Sequence, residues 1–131
     1  MVTVRESAVY TPGVCNIGPA EIRRRRSSGW FGLTLTVLLL VAFVLLHMPG
    51  PWRLFVVIPA GVGAIGFLQA AFHFCVRFGA TGLFNVGNEL GTHEQVHEAQ
   101  YRRKDQRKAV AIVAFSAIIS VAVALLAMLL P

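Results

Sequence analysis

The stretch THEQVHEAQYRRKDQRKAVAIVAFSAIISVAVALLAMLL, from Thr92 to Leu130, contains neither glycine nor proline. Its first part is polar and charged, whereas from Ala109 to Leu130 the only polar residues are Ser116 and Ser120. An uncharged apolar run of that length is enough to cross a bilayer as a helix. Nothing between the two parts breaks a helix. The spacing therefore predicts one rod of about 57 Å at 1.5 Å per residue, with roughly 33 Å of it in lipid and the rest a charged stalk. Thr92 with Gln95 fits a capping box, which predicts where the rod begins.

Working outward, two more apolar runs precede this one, over residues 30–47 and 53–76. The link HMPGPW between them predicts a tight hairpin, so these two spans should be antiparallel neighbours. Trp30 and Trp52 sit where an aromatic belt would mark opposite membrane edges. The second run is smooth in its middle, with Ala60, Gly61, Gly63, Ala64, Gly66, Ala70 and Ala71, and Pro59 is expected to bend it. Small residues let helix backbones approach closely, and in lipid that packing drives association. The third run carries its own small stripe, Ser116, Ser120, Ala124 and Ala127, expected to face the second. Gln69 and His73 lie four apart and should share a face turned toward protein, because an unpartnered polar group in hydrocarbon is costly.

The fold expected is therefore an all-α integral membrane protein of three spans, over residues 30–47, 53–76 and 109–130. Residues 1–29 form a polar lead-in with a basic anchor, and residues 77–108 an interspan loop and stalk. Pro19 suits the first position of a short helix running into the arginines, and VTVRESAVY could be a short strand. Residues 77–91, with four glycines, read as irregular chain lying along the membrane surface.

The chain has 131 residues, 56% hydrophobic and 14% charged, with a net charge of +6. That balance belongs to the membrane class rather than to a soluble domain. Of twelve Lys and Arg residues, eleven precede the first span or fall between Arg77 and Lys108, and only Arg53 lies in the hairpin link. The positive charge thus reports orientation: N-terminus inside, C-terminus outside, in a bacterial-type inner (cytoplasmic) membrane. Arg23, Arg24, Arg25 and Arg26, with Trp30 and Trp52, read as lipid-headgroup anchors. No aromatic-studded basic face accompanies the charge, which argues against nucleic acid. Cys15 and Cys75 do not make a disulfide framework.

The sharpest chemical motif is His93-Glu94-Gln95-Val96-His97, a match to H-E-x-x-H. On a helix, the two histidines could grip zinc while Glu94 acts as general base. A catalytic zinc wants a third protein ligand, and the position six residues beyond His97 is Arg103. A looser set, Cys15, His73, Cys75, His93 and His97, should gather near the inner surface, where a structural zinc could tie the lead-in to the helix ends. The plain alternative is a solvated stalk with i,i+4 pairs such as Glu98–Arg102. His47 and His73 sit near opposite ends of adjacent spans and cannot grip one haem together.

With no complete catalytic set, the function expected is structural: an accessory or scaffold subunit packing through its small-residue faces within a homo- or hetero-oligomeric membrane complex. Its N-terminal segment and stalk would face a cytoplasmic partner, and no cofactor is expected. The alternatives are a zinc-dependent membrane hydrolase built on His93, Glu94 and His97, or a small homo-oligomeric channel or transporter subunit lined by Gln69, His73, Ser116 and Ser120.

Overall fold

The structure is a computed structural model and describes residues 10–86 and 93–130. It is mostly helical, and three of its helices are long and apolar enough to cross a membrane. They are α1 (Pro19–Leu45), α2 (Gly50–Phe72) and, after a short α3 (Val76–Thr81), α4 (Ala99–Met128). Between α3 and α4, β1 (Leu83–Phe84) and β2 (Glu94–Gln95) pair antiparallel, so the fold is not purely helical.

Pro19 opens α1 as expected of a residue with no N–H to satisfy. The helix does not stop at the arginines. Ser27, Ser28 and Gly29 contain nothing that breaks it, and one helix of 27 residues carries the basic run directly into the apolar one. The hairpin turns at His47, whose φ of 54° is left-handed, and α2 starts at Gly50 with Pro51 in its first turn. Residues Leu54–Val56 wind as a 3₁₀ turn just ahead of Pro59. Proline has no N–H to return to the carbonyl four residues earlier, which favours such tightening.

The end of α2 departs from expectation. His73 has φ 55° and lies outside the helix, with Phe74 N–H donating to the Gln69 carbonyl (3.0 Å) and His73 N–H to that of Ala70 (3.4 Å). This is a Schellman end in which histidine takes the place usually held by glycine. His73 is therefore an exposed helix terminator and not an interhelical polar group. Gln69 is buried, but its Oε1 accepts from Val76 N–H (2.8 Å), fastening the turn rather than bridging two spans.

The rod is also shorter than expected. α4 begins at Ala99, with extended Glu98 before it, and its 30 residues span about 45 Å. Thr92, the expected cap, lies outside the described residues. Residues 93–98 are not helical because a tertiary choice outweighs local propensity. Glu94 and Gln95 pair with Phe84 and Leu83, Val96 N–H donates to the Gly82 carbonyl (2.8 Å), and Val96 is buried. Residues 77–91 likewise contain a helical start, α3, where an irregular segment was expected.

Small residues set how the long helices meet. Gly32 lies against Gly63, and Gly29 against Gly66, so that the backbones of α1 and α2 touch. Another side of α2 meets α4, where a Cβ on Gly61 would stand 3.7 Å from the Ser120 side chain. Ser116, Ser120, Ala124 and Ala127 are all buried along α4. Ala60, Gly63, Gly66 and Ala70 are buried on α2, with Ala64 half-buried. Large side chains such as Leu38, Ile58, Phe115 and Ile118 point outward. Three apolar helices with bulky exteriors and smooth contacts are consistent with a membrane protein.

Arg53, the lone basic residue of the hairpin link, is buried at the far end. Its Nη1 donates to the carbonyls of Ala127 (3.0 Å) and Leu130 (2.6 Å), capping the C-terminus of α4. Arg53→Met should lower stability by about 2 kcal/mol, through loss of two charge-assisted bonds, and fray the last turn. Hydrogen exchange at residues 127–130 would read this out.

Candidate functional site

The end opposite Arg53 carries a folded polar cap. Its parts are residues 10–18, the turn after α2, α3, the two strands and the first turns of α4. Asn16 is its hub and is fully buried. Its Nδ2 donates to the Cys75 carbonyl (3.2 Å) and its Oδ1 accepts from Cys75 N–H (2.6 Å). Its main chain donates to the His73 carbonyl (3.1 Å) and accepts from Asn85 N–H (2.9 Å). The apolar counterpart is Ile17, packed with Cys75 and Phe78.

A second anchor is Asp105, also fully buried, on the first turns of α4. It accepts from the Tyr10 hydroxyl (2.7 Å) and from Gly13 N–H (2.7 Å). Tyr10 stacks on Phe84 at 4.5 Å. Burial, and then the hydrogen bond and charge of Asp105, push the Tyr10 phenol well above its ordinary value. Gly13 has φ +72°, and a Cβ there would stand 3.3 Å from Lys104 Cβ, a conformation and closeness suited to glycine. Arg102 Nη1 donates to the carbonyls of Val96 (2.7 Å) and His97 (2.9 Å) rather than forming the expected pair with Glu98. Those carbonyls lie beyond the strand and outside the helix, so they need a donor.

Between α1 and α2, beneath α3, lies a cleft of about 490 Å³. α1 lines it with Glu21, Arg24, Arg25 and Ser28, the i, i+3, i+4, i+7 face of a helix. α2 supplies Val62, Ile65, Gly66 and Gln69 at the same spacing. Residues 75–78 and His93 complete the wall. Glu21 is almost fully buried, and its Oε1 is 3.3 Å from Arg25 Nη2 with no hydrogen bond. Arg25 Nη2 also donates to the buried Cys75 Sγ at 2.9 Å.

The five residues of the looser zinc set do not converge. Cys75 and His93 share the cleft, while Cys15 turns its thiol toward the Ile17 carbonyl, 3.5 Å away. Burial pushes the Cys15 thiol up. His73 and His97 are exposed, and among the described residues no three His, Cys, Asp or Glu side chains are grouped to hold a metal. The HEQVH segment is strand and extended chain, so its histidines are not on one helix face and Glu94 points into solvent. The metallopeptidase geometry requires that helix. Arg23 and Arg26 are exposed outside the cleft, Trp30 is edge-on to Phe67 at 5.3 Å, and Trp52 is exposed at the other end.

No protein-family model, curated protein or solved structure matches this chain.

The sequence gives no sign that Asn16, Glu21, Tyr10 or Asp105 anchors the cap. Asp105 left one trace, as the only acid within RRKDQRK. Asn16 left none, since its partner Cys75 lies 59 residues away.

Proposed function

We propose that this chain is an accessory subunit of an integral membrane complex. Its three apolar helices form the anchor, and its cap is the surface engaged by other subunits or by a second copy. The reading rests chiefly on the cap, where Asn16 and Asp105 are wholly buried and hydrogen-bonded across 59 and up to 95 residues of sequence. A passive anchor needs only a bundle and a basic collar. A segment ordered to that degree has a surface whose shape matters.

The small-residue faces carry less of the assembly in this reading than composition implied. Gly29, Gly32, Gly63 and Gly66 are already occupied by each other within one chain. The cap holds Arg77 and the α4 cluster and adjoins Arg23, Arg24, Arg25 and Arg26 of α1, and the positive-inside preference favours the cytoplasmic side for it.

The test is affinity isolation from the native membrane in mild detergent, with stoichiometry read by native mass measurement. The expected result is a fixed ratio to another subunit or another copy, lost in Asn16→Ala, which unties the cap. Recovery of a single copy with no companion at fixed ratio would contradict the proposal.

A further inference from the structure

We propose that the cleft between α1 and α2 binds the headgroup of an anionic phospholipid, with a glycerol-type headgroup the best match. This does not depend on the subunit reading, only on the bundle lying in a membrane.

Among the described residues, three guanidiniums, those of Arg24, Arg25 and Arg77, line the cleft against one carboxylate, Glu21. Glu21 is matched by Arg25, and among the described residues neither Arg24 nor Arg77 has an ion pair. Two guanidiniums with no carboxylate partner at one cleft, Arg77 resting 5.9 Å from the Phe78 ring centroid, are suited to a phosphate, which they can grip through paired N–H donors. Ser28 and His93 add further polar groups on the same wall.

Below Gln69 the opposite wall is apolar. Val62 and Ile65 continue down α2 toward the middle of the bundle, and Gly66 above them adds no side chain. A cleft that is cationic above and apolar below fits an amphiphile better than a free anion. Its position agrees: Trp30, 57% exposed, lies just past the arginine run, at the level where aromatic residues meet headgroups. Basic pockets between spans on the positive side are a known way of holding anionic headgroups. The volume, about 490 Å³, is in the range of small-molecule sites.

Glu21 sharpens the choice. Its Oε1 is buried on the cleft wall and accepts no hydrogen bond. Enclosed in this way, Glu21 sets its charge against Arg25 and leaves the other two guanidiniums of the cleft to an anion. A glycerol headgroup leaves the negative charge of the phosphate uncompensated, whereas a choline headgroup adds a cation beside the arginines.

The run of four arginines supplies its own control. Arg24 lines the cleft, whereas Arg23 and Arg26 lie on other faces of the same helix. All three, like Arg77, are exposed, so alanine leaves the packed core intact. The full chain would be placed in phosphatidylcholine nanodiscs doped with phosphatidylglycerol, and retained lipid counted by native mass spectrometry after release. The wild type should retain phosphatidylglycerol over phosphatidylcholine, and Arg24→Ala/Arg77→Ala should weaken retention roughly tenfold or more. Arg23→Ala/Arg26→Ala, with the same loss of charge, should stay within about twofold. Equal losses in the two double variants would reduce the site to diffuse surface charge and overturn the proposal. So would the absence of headgroup preference, or displacement of the lipid by millimolar inorganic phosphate, which would make free phosphate the ligand.

Discussion

Gly32→Ala should destabilise the protein by about 3 kcal/mol, although glycine to alanine inside a helix ordinarily helps by ~0.5–1 kcal/mol. A Cβ at Gly32 would collide with the backbone N of Gly63, and would stand 2.6 Å from Gly63 Cα and 2.8 Å from the Pro59 carbonyl oxygen. None of these is the movable end of a side chain. The two helices must separate, which forfeits the close packing that holds spans together where no hydrophobic drive exists. Overpacking typically costs ~1–3 kcal/mol, and backbone against backbone belongs at the upper end. Gly61→Ala is the matched control. Its Cβ would meet Ser120 at an ordinary 3.7 Å, so it should be neutral or mildly stabilising. Thermal unfolding of both variants in detergent measures the difference, and equal effects would show that α1 and α2 do not touch through this face.

Asp105→Ala should release the N-terminal segment while leaving the bundle folded. The substitution strands the half-buried Tyr10 hydroxyl and Gly13 N–H, each held at 2.7 Å by the buried Asp105. An orphaned buried donor costs ~1–3 kcal/mol, and these two, half-buried, can recover part of it from water, so the local loss is about 2 kcal/mol. Limited proteolysis should cut near residues 10–15 in the variant and not in the wild type. Intact protection in Asp105→Ala would mean that other contacts hold the segment. The pH dependence has a definite sign. The Tyr10 phenol is raised in the folded state, so its contribution is full below the unfolded value of about 10 and is lost as pH rises through the higher folded value.

The bundle was legible because it is written in long local patterns. Uncharged runs, the two prolines of HMPGPW and the small residues of α2 and α4 each act over a few turns, and each lies where its pattern points. The cap was not, because its contacts are remote and its deciding residues are ordinary. Asn16 and Cys75, or Tyr10 and Asp105, carry no spacing that marks them as partners. HEQVH misled for the opposite reason. Its local preference is helical, but Leu83 and Phe84 offered a strand partner and Val96 a buried position, and those won. His73 gave no warning either, since a left-handed helix end is normally signalled by glycine.

These findings reassign the basic residues. Arg53 caps a helix end, Arg25 serves the buried pair with Glu21, Arg102 holds two carbonyls, and Arg24 and Arg77 face an open cleft. A count of positive charges treats them alike. Their surroundings give each a separate task.

Membrane topology is the most direct test of the whole account. Single cysteines at Arg24, Arg103 and Leu130, introduced in a Cys15→Ser background with the buried Cys75 retained, would be labelled in sealed vesicles by an impermeant thiol reagent. Positions 24 and 103 should react from one side and position 130 from the other. Reaction of positions 24 and 130 from the same side would contradict it.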